Sequence, residues 1–472
     1  MQPENFRFGG GSTDTILHPI VLVAMLIAVI LAFVLPRKYL VVPFILSTFL
    51  IPQGQQLVVG GFHVFALRII VLAGIARMLF SRRPAGENVL AGGFNSVDVI
   101  FFLWATLHSL SFILLYRATG AIVNQVGYLW DGLGSYIILR FMICDEEDVS
   151  RAIKCFAFLA VVLAACMVRE QLTGLNVFGL LGGVNVISEV REGKIRSQAV
   201  FQHSLLAGTF GATAIPLFVY LWKRGKQKLL AVCGAIGATV MVAAASSSTP
   251  VMAWMAGIGA VFLWPLRKRL RMVRWGLVAI LLSLTLVMQA PIWFLIARVS
   301  VANGSSSYHR AMLVDQFVRH FSDWWLVGTN ENQKWGFDMW DTSNRYVEEG
   351  ETGGLAALIC FVGLIYLNFS RIGTARKMLE KDRKHEWMLW LLGAAFFAHL
   401  VAFWGISYFD QTRVTWFALI AMIVATTAPV LRQSSVLQDK TGNSNLTVSR
   451  RSYAAVGLAS TNTSGLYNKY KK

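Results

Sequence analysis

About thirteen apolar stretches recur along the chain, and this repetition constrains the fold more than any other feature. They lie at about 17–35, 39–52, 62–80, 97–115, 121–142, 154–171, 199–221, 229–245, 250–266, 275–294, 353–370, 386–404 and 412–429. Most approach the roughly 20 residues that a helix needs to cross a bilayer. The 39–52 stretch suits a tilted half-span. The 121–142 stretch carries Asp131 and Arg140 and reads as re-entrant or as the lining of a cavity. Hydrophobic residues make up 56% of the 472 residues and charged ones 14%, against about 25% charged in an ordinary soluble domain. A polar shell of that size cannot cover so much apolar surface. This excludes a water-soluble enzyme, a disordered chain and a nucleic-acid binder. The expected fold is all-α: a polytopic membrane protein with about 12–13 transmembrane helices and one large helical periplasmic loop. Its parts are N-terminal transmembrane helices (1–171), a periplasmic loop (172–198), central transmembrane helices (199–294), the large periplasmic loop (295–352), C-terminal transmembrane helices (353–430) and a disordered cytoplasmic tail (431–472).

Charge sets the expected sidedness. With the loop after the first span placed inside and the rest alternating, roughly thirty of the 43 Lys and Arg residues fall inside, as the positive-inside rule requires. These clusters are Arg37/Lys38, Arg77/Arg82/Arg83, Arg140/Arg151/Lys154, Lys223–Lys228, Arg267–Arg274, Arg371–Lys384 and the tail. The net charge of +18 therefore reads as basic cytoplasmic loops. No basic region precedes the first apolar run, so no cleaved signal peptide is expected. The five cysteines are odd in number and lack CxxC spacing, which argues against a disulfide framework or zinc site. No HExxH, DxD, P-loop or GxGxxG element occurs, and no metal, nucleotide or other cofactor is expected.

Three outside segments carry polar chemistry. In the first, Arg191, Lys194 and Arg196 precede a helix that enters the bilayer, and His203 falls inside the expected span. Cations ahead of a helix start make an anion site, because the free N–H groups and the dipole favour negative charge. The alternative is a solvated loop paired to Glu189 and Glu192, with His203 bonded to a carbonyl. The second is Ser305–Phe317, where Ser307 is a plausible N-cap and places Arg310 in the first turn beside His309. The alternative there is an Arg310–Asp315 ion pair. In the third, Trp340–Gly354, helical spacing sets Asp341, Asn344, Arg345 and Glu348 on one face. The tryptophans of this loop, Trp325 and Trp340 among them, suit either an interfacial aromatic belt or the apolar faces of sugar rings.

In this order and on this side, these segments resemble the O-antigen ligase and Wzy-type polysaccharide polymerase superfamily over about 165–370. Arg196-Ser197-Gln198-Ala199-Val200-Phe201-Gln202-His203-Ser204 with Gly208 is similar to the family's Arg-x-x-Gly-x-Phe-x-His-Pro and later Gly. Ser248-Thr249-Pro250 resembles its Ser-x-Ser-Arg-Gly element. Arg310 followed by Trp325-Leu326-Val327-Gly328 is similar to Arg-x-x-x-x-Trp and Leu-x-Gly. Ser343-Asn344-Arg345-Tyr346-Val347-Glu348 with Glu351-x-Gly353-Gly354 is similar to His-Asn-x-Tyr-Leu-Glu and Glu-x-Gly-x-x-Gly.

The resemblance implies a metal-independent glycosyltransferase of the bacterial cytoplasmic (inner) membrane, with its active site facing the periplasm. Such an enzyme moves glycan from a polyprenyl-diphosphate carrier to an acceptor glycan, in the lipid bilayer and alongside other polysaccharide export components, with no nucleic acid involved. Arg196 and Arg310 become the diphosphate ligands. Arg191, Lys194, His203, Asn344, Arg345, Glu348, Trp325 and Trp340 become substrate contacts. The family histidine, thought to act as base, is Ser343 here, which leaves Asp341, His309 or Glu348 to serve. Ala199 and Ser204 replace a family Gly and Pro. A polymerase and a ligase differ only in the acceptor. A lipid or secondary transporter using Arg68, His108, Asp131 and His399 is the reading from another class, and a non-catalytic assembly subunit is a third.

Overall fold

The structure, a computed structural model, describes residues 15–59, 62–81, 88–225, 227–295 and 307–433. The first fourteen residues, Arg82, Arg83, Lys226, Ser305, Ser306 and the tail from 434, read above as disordered, lie outside the described residues.

Each apolar stretch carries a helix, because a segment with no polar side chains to solvate its backbone must satisfy its own N–H and C=O groups. In chain order these are α1 (Pro19–Val34), α2 (Val41–Leu50), α3 (Ala66–Leu79), α4 (Ser96–Tyr116), α5 (Thr119–Leu129), α6 (Ser135–Met142), α7 (Glu146–Thr173), α8 (Ser204–Arg224), α9 (Lys228–Ala244), α10 (Ser248–Phe262) and α11 (Leu270–Val287). The large loop adds α12 (Ser307–Arg319) and α13 (Phe321–Trp324), followed by α14 (Arg345–Met378), α15 (Arg383–Ala402) and α16 (Thr412–Gln433). Among the described residues, seven helical segments are long and apolar enough to cross a membrane: Ser96–Tyr116, Glu146–Thr173, Ser204–Arg224, Trp264–Val287, Arg345–Met378, Arg383–Ala402 and Thr412–Gln433. Pro19–Val34, Lys228–Ala244 and Ser248–Phe262 are shorter apolar helices. This is compatible with a multi-pass membrane protein.

Strict all-α content is corrected by two small antiparallel ribbons, β1 (Gln56–Val59) with β2 (Phe62–Phe65), and β3 (Glu189–Arg191) with β4 (Lys194–Arg196). The second closes through Glu192-Gly193, both at positive φ (53° and 74°), the backbone that a two-residue hairpin requires. The 121–142 stretch is α5 and α6 joined by a π-turn at Trp130–Gly134. Its charges are paired within the bundle: Asp131 with Arg68 at 3.2 Å and Arg140 with Asp98 at 2.9 Å.

The helix ends sort into two groups. At the basic end, Arg37 pairs with Asp148 (3.3 Å), Arg224 with Glu146 (3.2 Å), and Arg267 and Arg376 with Glu386 (3.2 and 3.1 Å). At the ribbon end, Gln55 donates to the Leu181 carbonyl, the Gln202 N–H to Asp410 (3.2 Å) and the Arg345 N–H to the Phe403 carbonyl (2.8 Å). One continuous core runs through α2, α4, α7, α8, α15 and α16. The outside is apolar too: Ile20, Val23, Leu110, Ile236, Ile359 and Leu286 are exposed, and no residue of α11 is buried. Water does not tolerate apolar surface on this scale.

The large loop folds over a core of its own, made of Leu313, Phe317, Trp324, Trp335, Met339 and Val347. Trp324 stacks on Phe317 (3.9 Å between centroids) and donates Nε1–H to the Phe317 carbonyl (2.8 Å). The loop is anchored on α14 where that helix breaks at Gly354 (φ 68°, ψ −176°). There the Leu355 N–H donates to the Trp325 carbonyl (2.9 Å) and the Thr329 N–H to the Glu351 carbonyl (2.7 Å). The segments Trp325–Gly328 and Glu351–Gly354 therefore meet. Gly328 (φ 88°) rests against the Glu351 carbonyl, and a Cβ on Gly354 would stand 2.6 Å from the Leu326 oxygen. Gly354→Ala should therefore cost about 2 kcal/mol or more through backbone strain and collision. Thermal unfolding in detergent would show it as a lowered melting temperature, and an unchanged one would mean that the break is not held by this contact.

Candidate functional site: a buried arginine pair

The end of α7 builds the floor under Arg196. Glu170 is fully buried and accepts from the Ser188 hydroxyl (2.8 Å), the Gln198 N–H (3.1 Å) and the Ala199 N–H (2.9 Å). Asn176 donates to the Ala199 carbonyl (2.7 Å) and Ser197 to the Met167 carbonyl (3.0 Å). Ala199 holds a left-handed backbone, φ 49°, at a cost that glycine would not incur. The hairpin register sets Glu189 directly across from Arg196, and their side chains pair at 3.1 Å.

His203 is not inside the span, as expected above, but is the N-cap of α8. Its Nδ1 accepts from the Leu205 N–H at 3.1 Å, a capping bond that ends the loop there. Its Nε2 faces Glu189 at 3.7 Å. Burial pushes the His203 imidazole below its ordinary value of 6.5, the nearby Arg196 and Arg191 push the same way, and Glu189 opposes them.

Arg310 stands in the first turn of α12, whose first helical residue is Ser307; the cap falls one residue earlier, outside the described residues. The Arg310–Asp315 pair does not form: Asp315 takes Arg319 (2.7 Å) and Trp293 Nε1–H (3.2 Å). Arg310 instead lies within electrostatic reach of Asp341, Arg191 and Arg196. Burial lowers its proton affinity from the ordinary value; Asp341 raises it again, while Arg191 and Arg196 lower it. Arg196 and Arg310 are 5% and 6% exposed, and the Nε of each is buried without a hydrogen-bond partner among the described residues. Two buried guanidinium groups, with the exposed Arg191 near them, thus face two carboxylates, Glu189 and Asp341, that remain open to solvent. Like charges gathered out of water are costly unless an anion joins them, and the planar fork of arginine suits phosphate.

The other expected residues divide. Arg191 and Lys194 are exposed cross-strand neighbours at the hairpin tip. Trp340 is 70% exposed and Trp325 is 46% exposed, whereas Trp335 is buried against His320. His309 donates Nε2–H to the Asp338 carbonyl (2.9 Å). The single face of Asp341, Asn344, Arg345 and Glu348 does not form. The α14 helix starts only at Arg345, because Asn344 caps it by accepting from the Tyr346 and Val347 N–H groups (3.0 and 3.3 Å), which leaves Asp341 in the preceding turn. Arg345 turns into the bundle, pairing with Glu348 (2.6 Å) and Glu349, over the rings of Trp104 and Phe361.

Sequence reasoning missed Glu170 and Asp410. An acid inside an apolar stretch was the available signal for Glu170. Asp410 is fully buried, accepts the Gln202 N–H (3.2 Å) and the Thr412 N–H (2.8 Å), and so fixes the residue next to His203. Burial pushes its carboxyl up against those hydrogen bonds.

The His203 environment carries a pH prediction. The folded protein resists protonating this imidazole, so its contribution to stability is present above about pH 6.5 and is lost as pH falls below it. A bound anion reverses the local field, so protonation and anion binding should favour each other. Affinity for inorganic diphosphate, measured by titration calorimetry, should rise as pH drops from about 7.5 to 5.5, by up to about tenfold per unit. His203→Gln should flatten the rise; a flat wild-type profile would sink the idea.

No protein-family model matches the chain, and no curated protein matches it in sequence.

Proposed function

We propose that the chain is a metal-independent glycosyltransferase of a bacterial inner membrane, with the ribbon end facing the periplasm. On this reading it takes a polyprenyl-diphosphate-linked oligosaccharide and polymerises surface or exopolysaccharide repeat units. The observation that carries the reading is the buried Arg196–Arg310 neighbourhood with its two unpartnered Nε atoms. A diphosphate supplies the missing charge there and, being a good leaving group, needs only its developing charge held. The gathering of basic clusters at the opposite end supports the orientation. Exposed Trp340 and Phe337 offer stacking surfaces to an acceptor sugar.

In the transfer, the acceptor hydroxyl oxygen bonds to the anomeric carbon from the side opposite the diphosphate. The carbon–oxygen bond to the diphosphate breaks, its electron pair leaves with the phosphate, and the acceptor proton passes to a base. The anomeric centre inverts. The residues suited to the transporter reading are engaged in internal contacts: Arg68 with Asp131, His108 with Glu349 and His399 with Tyr408. The deciding experiment is deletion of the gene and complementation with the wild-type chain, with surface and secreted glycan separated by gel. Loss of high-mass polymer, with single lipid-linked repeat units accumulating, supports a polymerase. Polymer that persists on its carrier without reaching its acceptor indicates a ligase. Unchanged glycan rejects both.

A further inference from the structure

The transfer above needs a proton acceptor, and the residue at the position of the resembled family's histidine is Ser343, whose hydroxyl cannot itself serve as a base. Glu351 is an acid of this region with a buried oxygen that lacks a hydrogen-bond partner among the described residues. It is 3% exposed and sits three residues before the break in α14. Its Oε2 accepts from the Thr342 hydroxyl at 2.6 Å and from Asn332 Nδ2–H at 3.2 Å. Its Oε1 is buried with no hydrogen-bond partner among the described residues. The Glu351 backbone is held by Thr329 and packed against Gly328, so the carboxylate has a fixed base. Thr342 is only half-buried, and it stands between Asp341, which faces Arg310, and Ser343. Thr342 thus follows directly, in sequence, the residue that faces Arg310.

Asp341 is exposed and faces Arg310, and several other polar groups nearby are occupied. Glu348 and Glu349 pair with Arg345, Glu170 takes three donors, Asp410 takes two N–H groups, and His309 donates to the Asp338 carbonyl. An ionised carboxylate with a bare buried oxygen is costly to hold, and taking up a proton relieves that cost. A hydroxyl at 2.6 Å from a carboxylate is a short, charge-assisted bond, aligned for transfer along it.

Resting on the glycosyltransferase reading, we propose that Thr342 and Glu351 together replace the family histidine as the proton acceptor. The acceptor sugar's hydroxyl proton passes to Thr342 Oγ1 as the threonine's own proton passes to Glu351 Oε2. The oxygen so freed bonds to the anomeric carbon, and the electron pair of the breaking bond leaves on the diphosphate. The carboxylate ends as a carboxylic acid, and threonine ends unchanged. Thr342 is then the group that touches substrate, and Glu351 acts through it.

The test uses the purified full-length protein in nanodiscs with lipid-linked repeat units extracted from the deletion strain. Wild type is compared with Glu351→Gln, Thr342→Val and Thr342→Ser over a range of pH. Glu351→Gln and Thr342→Val should slow transfer by roughly 10²–10⁴-fold, the contribution of a positioned base, with KM little changed. Thr342→Ser should recover most of the rate. The wild-type rate should rise with pH to a plateau, and Glu351→Gln should remove that rise. Thr342→Val and Glu351→Gln at the wild-type rate, or Glu351→Gln with the wild-type pH profile, overturns the relay. Should Glu351→Gln fail to fold, the contrast between Thr342→Val and Thr342→Ser decides alone. A wild-type protein that transfers nothing rejects the glycosyltransferase reading itself, a distinguishable failure.

Discussion

Arg310→Ala and Arg196→Ala should each abolish polymer formation in the complemented strain and slow transfer by about 100-fold or more in vitro. The magnitude follows from what the side chain would give up. A hydrogen bond to a charged group is worth about 1.5–3 kcal/mol, and removing one donor from a developing oxyanion costs about 10²–10³ in rate. Both arginines hold one group, so the double variant should be little worse than either single one. Lysine at either place should recover only part, because a point charge cannot match two phosphate oxygens at once. The stability readout separates this role from a structural one. Arg310 is buried beside Arg191 and Arg196 with its Nε unpartnered. Removing it relieves like-charge burial, so Arg310→Met should melt at the same temperature as wild type or higher, the usual mark of a site strained for function. A fall of several degrees with transfer intact would show Arg310 to be a strut and would remove the main support for the function.

The helices were legible because hydropathy alone forces them. Their ends and the site were legible only where the signal was local. The Arg191–Lys194 hairpin was not foreseen, although Glu192-Gly193 carried a local signal for it and a two-residue turn would have fixed the Glu189–Arg196 register. The helical face drawn through Asp341 failed because Asn344 competes for the first N–H groups of α14, and a capping residue outranks a spacing argument. His203 was misplaced for the same reason: its imidazole caps a helix that the hydropathy window starts too early. The Thr342–Glu351 contact was out of reach, because it depends on the fold-back of the large loop onto the helix break at Gly354. The spacing of Arg345 with Glu348, i to i+3, was in view from the start, whereas Glu349 was not singled out. Only burial shows that these partners draw the arginine inward.

That inward turn carries the last prediction. Arg345→Ala should destabilise the protein by about 3–5 kcal/mol, the usual cost of stranding one member of a buried ion pair. Arg345 compensates Glu348 and Glu349 at once and reaches the Tyr128 hydroxyl at 3.5 Å. Glu349 in turn accepts from Trp104 Nε1–H (2.8 Å) and faces His108 Nδ1 (3.2 Å), so its carboxylate would remain buried without the guanidinium that now compensates it. Arg345→Ala should therefore appear as lost expression of monodisperse protein and a sharply lowered melting temperature. Combining Arg345→Met with Glu349→Gln should recover a large part of the loss, since it removes the stranded charge while keeping an oxygen for Trp104 and volume for the bundle. Transfer by that double variant then assigns the residue. Near-normal rates place Arg345 among the groups that hold α14 against α4 and α5. A stable double variant that no longer binds the lipid-linked donor would return Arg345 to the substrate.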